Sequence, residues 1–296
     1  MTGALAYAAP PKDGAWSHPE PVTDTAARAF WFHDSILMPV IVVVTVFVML
    51  LQVWLIVRYN RRASPKAASW SHNTPLEIAW TMIPVAILMV LAVFSFPLLY
   101  ELDREPDLEA IISGEIDGDV DAAQLDWVNV KVMGNQWNWT YTFPDYLDED
   151  GYALEFTSNG LHKGGLSTEI GGGIKNLSVD YPLVLPAGRY IRYYAAASDV
   201  IHAFAMPAFA IKTDAVPGHL NQGWFKVNVA DVYYGQCSEL CGKDHAFMPI
   251  EIRIVPQAQF DAWIAMMQTG DFDAANALVA EIQPLPAETR LASAGQ

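Results

Sequence analysis

Two stretches without a charged residue limit what this chain can fold into. Ile36–Val57, ILMPVIVVVTVFVMLLQVWLIV, runs for 22 residues, and Ile78–Tyr100, IAWTMIPVAILMVLAVFSFPLLY, for 23. As a helix rising 1.5 Å per residue, each is long enough to cross a hydrocarbon core of about 30 Å. Core helices of soluble domains rarely stay uncharged for that length, so both are read as membrane spans. The loop between them carries Arg58, Arg61, Arg62 and Lys66 against one acid, Glu77. Short loops rich in Lys and Arg stay on the cytoplasmic side. Both termini are therefore expected on the opposite side, the periplasm of a bacterium, with the spans in the inner membrane and in contact with lipid. Trp31, Tyr59 and Tyr100 flank the spans as interfacial aromatics do. The expected organisation is an N-terminal periplasmic segment 1–28, a helical hairpin 29–100 with spans 36–57 and 78–100, an acidic linker 101–126, a folded domain 127–268 and a tail 269–296.

Charge is segregated as sharply as hydropathy. From residue 101 onward there are 28 Asp and Glu against 11 Lys and Arg, and the whole chain carries a formal charge of −16. Such a surface repels nucleic acid. It is either a solvated face or an electrostatic lure for a basic partner. ALAYA, Ala4–Ala8, resembles the end of a secretory cleavage site, but no apolar core precedes it. Residues 9–27, rich in Pro and Ala, are expected to lack regular structure.

The outward domain reads as strands. Trp127–Phe143 alternates, with Val128, Val130 and Val132 on one face and Asn129 and Lys131 on the other. Gly188–Ala197, Phe225–Ala230 and Ile250–Val255 alternate in the same way, separated by Pro- and Gly-containing turns. The pattern predicts an antiparallel sandwich or Greek-key barrel. One helix, Gln257–Met267, follows, with Phe260, Trp263, Ile264 and Met267 at helical spacing for packing. Asp148–Asn176 reads as an insertion. The GGGIK within it lacks the spacing and the following helix of a phosphate-binding loop. No C-x-x-C-H is present, so no haem is attached covalently.

Both cysteines lie in GQCSELCGKDHAFMP, Gly235–Pro249. In an oxidising compartment they could close a small disulfide. The order Cys237, Cys241, His245, Met248 suggests another reading, because thiolate, imidazole and thioether are the donor set of copper in electron-transfer sites. A second imidazole is available from His202 in SDVIHAFAMP. Two thiolates can bridge two metal ions with one imidazole on each. Met248 and the Glu239 carbonyl would then be weak outer ligands. His162 and His72 have no such neighbours in sequence and read as surface residues.

SDVIHAFAMPAFAIKTDAVPGHLNQ, YYGQCSELCGKDHAFMPI and GNQWNWTY resemble subunit II of cytochrome c oxidase in its bacterial aa3-type form, over about residues 29–268 apart from two insertions, the acidic linker and Asp148–Asn176. The resemblance implies a two-helix transmembrane hairpin followed by an all-β cupredoxin-like Greek-key barrel. It implies a dinuclear copper centre, CuA, of two copper ions on His202, Cys237, the Glu239 carbonyl, Cys241, His245 and Met248. It also implies that the Glu239 carboxylate reaches a Mg or Mn ion shared with subunit I. Trp137 matches the tryptophan that receives electrons from cytochrome c, whereas Trp139 reads as core. Glu77 closes a capping box, Thr74–Glu77, with Pro75 at the first helical position. The resemblance associates Glu77 with the mouth of a proton path into subunit I. The chain departs from the family pattern at Asn135 (often His), Asn138 (often aromatic) and His219 (Arg). The implied role is the subunit of a proton-pumping oxidase that takes electrons from cytochrome c, soluble or membrane-bound, and passes them to haem in subunit I, where oxygen is reduced. Partners would be subunit I, the other oxidase subunits and the cytochrome.

Three alternatives share parts of this pattern. A membrane-anchored copper chaperone with C-x3-C has a thioredoxin-like fold, and its His usually follows the cysteines. A quinol-oxidase subunit lacks the copper ligands. The CuA subunit of a related haem-copper reductase, such as a nitric oxide reductase, has them.

Overall fold

A computed structural model describes residues 18–66, 69–107, 127–161, 174 and 176–282. The chain forms two compact units, Arg28–Asp103 and a second made of the residues up to Ala27 with those from Arg104 onward.

The first unit is helical. One helical run extends over Asp24–Arg58 and comprises α1 (Asp24–Phe32), a π-helical turn (His33–Leu37) and α2 (Met38–Arg58). Pro39 at the start of α2 has no N–H for the carbonyl four residues back, which accounts for the irregular turn just before it. The second span is α3, Thr74–Asp103, with Pro84 and Pro97 inside it. No residue in the most apolar part of either helix is buried. Phe47, Ile56, Leu88 and Val93 are 63–71 % exposed. A surface this apolar is stable in lipid or against partner helices, not in water. Arg28 Nη1 donates to Glu101 Oε2 at 2.8 Å, joining the beginning of one span to the end of the other.

The first helix begins well before the uncharged stretch, and Asp24–Ala27, expected to be irregular, is helical. Thr23 is the reason: its Oγ1 accepts from Ala26 N at 3.0 Å, as an N-cap does. The capping box of α3 is one residue earlier than predicted. Asn73, not Thr74, caps the helix, with Oδ1 accepting from Leu76 N at 3.3 Å. Glu77 still reaches back, its Oε1 accepting from Asn73 N at 3.1 Å.

The second unit is a β-sandwich, with ten strands among the described residues. One sheet has the order β3-β2-β1-β5-β8, from Ala153–Ser158, Asn138–Leu147, Val128–Asn135, Tyr190–Ala197 and Asn221–Lys226. The other has the order β4-β10-β9-β6-β7, from Leu183–Pro186, Pro249–Val255, Asp231–Cys237, His202–Met206 and Ile211–Ala215. The sandwich is not wholly antiparallel, since β1 runs parallel to β5 and β10 parallel to β4. The predicted strand Trp127–Phe143 is a hairpin that turns at Gln136 and Trp137. The strand expected at Phe225–Ala230 ends at Lys226. The front of the supposed insertion is β3, paired along β2. Gly171–Gly173 and Lys175 of GGGIK, His162, ALAYA and most of the acidic linker lie outside the described residues.

Val128, Val130 and Val132 of β1 enter the core with Trp139, Tyr141 and Phe143 of β2 and Ile250, Ile252 and Ile254 of β10. Helix α4, Gln257–Gln268, closes one end, its Trp263 ring 5.8 Å from Phe143 and 5.9 Å from Phe156. The chain past Gly270, expected to be only a tail, forms α5, Phe272–Leu278. Asp271 caps it by accepting from Ala274 N at 3.0 Å, and Ala275 and Val279 are fully buried.

Candidate metal centre

One end of the second sheet gathers the soft donors. His202 is the first residue of β6, and Cys237, the last of β9, lies opposite Phe204 on the neighbouring strand. The chain then loops through Cys241, makes a short 3-10 turn at His245–Phe247 and enters β10 just after Met248. Strand pairing thus fixes His202 and Cys237, while the loop returns the remaining donors to the same place.

The two cysteines are free, with sulfurs 3.9 Å apart. A disulfide requires about 2.05 Å. Thiolates that each lie about 2.3 Å from a shared ion can be up to about 4.6 Å apart, so this spacing fits a bridged metal. Around the pair, His202 Nδ1 is 3.8 Å from Cys237 Sγ, and His245 Nδ1 is 3.5 Å from Cys241 Sγ. Met248 Sδ is 3.5 Å from Cys241 Sγ, and the Glu239 carbonyl oxygen is 3.3 Å from Cys237 Sγ. His202, Cys237, Cys241 and Met248 are buried, and the Glu239 side chain is exposed. All six residues singled out in the sequence therefore meet at one place.

The electrostatics favour a cation. Burial raises the Cys237 pKa, but the His202 ring beside it and the neighbouring backbone groups outweigh it, and the thiol ionises more readily than a free cysteine. Burial, and then the adjoining Cys237 charge, push the Cys241 thiol the other way. Two thiolates at this distance need added positive charge, which a metal ion provides. Burial lowers the His202 pKa, while Cys237 and Asp199 raise it, with a net shift upward.

Residues beyond the sequence-predicted set complete the site. Asp199 Oδ1 accepts from His202 Nε2 at 2.9 Å, and its Oδ2 accepts from Gln136 N at 2.7 Å. Gln136 Nε2 donates to the Cys241 carbonyl at 2.7 Å. Trp139, read from sequence as core alone, is fully buried but also serves the site. Its Nε1 donates to the Met248 carbonyl at 3.3 Å, and its ring meets the His202 ring edge-on at 6.0 Å. Trp137 is half-buried in the hairpin turn. A Cβ built on Gly242, directly after Cys241, would come within 3.3 Å of its ring. Trp137 precedes β2, which begins at Asn138, and packs against the edge of the core. Glu77 belongs to the helical unit and takes no part in this cluster, and His72 is exposed as expected. The one sequence signal for Asp199 is its place three residues before His202 in SDVIH.

The chain matches the family model for cytochrome C oxidase subunit II, periplasmic domain, over residues 128–255, and that for the transmembrane domain over residues 19–98. It is 35 % identical to a probable cytochrome c oxidase subunit 2 of Rickettsia bellii over 265 residues, covering 90 % of this chain and 88 % of the relative. It is 31 % identical to cytochrome c oxidase subunit 2 of Cereibacter sphaeroides over 280 residues, covering 91 % and 86 %. Among solved structures, the periplasmic domain of subunit II of cytochrome oxidase (CoxB) of Bradyrhizobium japonicum is 42 % identical, covers 49 % of this chain and 95 % of its own, and has a TM-score of 0.42.

Proposed function

The chain belongs to the cytochrome c oxidase subunit II family, and on that footing we propose that it is the electron-accepting subunit of a proton-pumping cytochrome c oxidase. The observation that carries this reading is the pair of free thiols 3.9 Å apart, ringed by two imidazole nitrogens, a thioether and a backbone carbonyl. Copper bound there would supply a one-electron couple. His202, Cys237, the Glu239 carbonyl, Cys241, His245 and Met248 would hold two copper ions.

The chain's own residues suit electron acceptance. Trp137, half-buried against the residue after Cys241, offers an aromatic step from the domain surface towards the thiolates. The excess of acid beyond residue 101 favours approach of a basic cytochrome c. The exposed Glu239 carboxylate is free of the cluster and suited to a Mg or Mn ion shared with subunit I. The cationic loop between the spans favours a cytoplasmic loop and a periplasmic β-domain. Glu77, at the start of the second span, is assigned to the mouth of a proton path. The β-sandwich removes the thioredoxin-like chaperone alternative, and the complete donor set disfavours a quinol-oxidase subunit.

Copper titration of the full chain in detergent tests the reading. Two copper ions per chain are expected, with an EPR hyperfine pattern from one electron shared by both nuclei. A single-copper blue spectrum, or no binding, would overturn it. In the assembled oxidase, Trp137→Phe should slow electron transfer from cytochrome c and leave that spectrum unchanged.

A further inference from the structure

We propose that Asp199 is a positioning residue that holds the copper-ligating imidazole of His202 and the Trp137 turn in a single register. The inference rests on the copper reading of the site.

Asp199 lies in the short link between β5 and β6, and its carboxylate serves three donors. Oδ1 accepts from Val200 N at 2.6 Å and from His202 Nε2 at 2.9 Å, and Oδ2 accepts from Gln136 N at 2.7 Å. The same link is fastened twice more to the hairpin, by Ser198 N to the Gly134 carbonyl at 3.1 Å and by Ser198 Oγ to Asn135 Oδ1 at 2.6 Å. Gln136 then reaches the Cys241 carbonyl through its side chain at 2.7 Å. Hydrogen bonds thus connect His202, Asp199, Gln136 and Cys241 in sequence, and Trp137 is the next residue along the chain.

The chemistry of the carboxylate sets the imidazole. A carboxylate only accepts, so Nε2 carries the proton. Nδ1, facing Cys237 Sγ, is left with its lone pair for a metal. Partners of this kind orient a ligating histidine, and their loss commonly weakens metal binding by about 10–100-fold. An amide at this position cannot replace the carboxylate. It has one accepting oxygen, so either His202 Nε2 or Gln136 N would face an NH2 group.

The test uses the full chain in detergent, labelled with 15N in its histidines. In the metal-free protein, at a pH where the ring is neutral, His202 should carry its proton on Nε2 and not on Nδ1. The opposite tautomer would overturn the proposal whatever the behaviour of any variant. With copper, Asp199→Asn should release the metal to a chelator about 10–100-fold more readily and should alter the copper hyperfine pattern. Asp214→Asn removes the same charge from an exposed site and should do neither. Gln136→Ala cuts only the Cys241 link and should leave the His202 tautomer unchanged. An Asp199→Asn protein with native copper retention and native spectrum, impaired only in salt-dependent reaction with cytochrome c, would make Asp199 a docking charge alone and sink the inference. If the native chain binds no copper, the functional reading falls as well; if only the variant result fails, that reading stands.

Discussion

The two imidazoles beside the cysteine pair are held in opposite ways. His202 opens a strand, is fully buried, donates a hydrogen bond from Nε2 to Asp199 and meets Trp139 ring to ring. His245 opens a 3-10 turn, is half-buried, and among the described residues has no carboxylate paired with its ring. The same division runs through the sulfur donors. Cys237 ends β9, whereas Cys241 and Met248 sit in the loop that follows. One half of the site is therefore set by sheet register before any ion arrives. The other half relies on a loop that a metal would fix, so metal binding and loop order should be linked.

The strand half can be broken hardest from the backbone. A Cβ on Gly235 would run into the Ala205 carbonyl oxygen and Met206 Sδ, where β9 pairs with β6. Gly235→Ala should destabilise the metal-free chain by about 3 kcal/mol, because overpacking against backbone has no flexible end to yield. Denaturant unfolding checks this, and a loss under 1 kcal/mol would show that the two strands are not rigidly registered. Gly134→Ala acts one step closer to the ligand. Its Cβ would come 2.9 Å from Cβ, Cγ and Cδ2 of His202. The cost should be about 1–3 kcal/mol, with weakened copper retention because the imidazole itself must shift.

How much of this arrangement can be read in the sequence follows from how local each cause is. The spans depend on an uninterrupted local property and are legible at once. The donors Cys237, Cys241, His245 and Met248 lie within twelve consecutive residues, so their convergence is legible too. The hairpin at Gln136 and Trp137 is less visible. The strand pattern runs straight through it, and the only clue is a change of parity. Buried positions are even-numbered up to Gly134 and odd-numbered from Trp139 onward. Thr23 and Asp271 are good helix caps surrounded by Pro, Ala and polar residues, so composition conceals α1 and α5. The parallel pairs β1–β5 and β4–β10 join segments far apart in sequence, and no local pattern encodes that choice. The Asp199–Gln136 link, across 63 residues, depends on the same topology and is equally invisible.

Trp139 tests whether the join between the two halves is braced from outside the donor set. Its Nε1–H reaches the Met248 carbonyl, which also accepts from Cys237 N at 3.4 Å. Trp139→Phe keeps an aromatic ring in the core but removes that donor and part of the ring. A loss of about 1 kcal/mol is expected from the hydrogen bond, with more where the smaller ring leaves a void. Copper retention should fall modestly, through Met248. If stability falls but retention does not, Trp139 is core packing only.

The smallest effect on stability should come from the loop half. His245 is half-exposed, closes no sheet contact and has its Nδ1 3.5 Å from Cys241 Sγ. His245→Ala should therefore change the stability of the metal-free chain by no more than about 0.5 kcal/mol. The matching truncation, His202→Ala, should cost about 2 kcal/mol, because it leaves a cavity beside Trp139 and an acceptor without its donor. Both variants should bind copper poorly, so the contrast is visible only without metal. Equal costs would mean that the loop is already as fixed as the strands. Hydrogen exchange on the native chain gives the complementary view. Amides in Gly242–Phe247 should gain more protection on adding copper than those in His202–Met206, since the sheet already protects the latter. If His202–Met206 gains as much, the strand half is not formed ahead of the metal, and the distinction between the two imidazoles is lost.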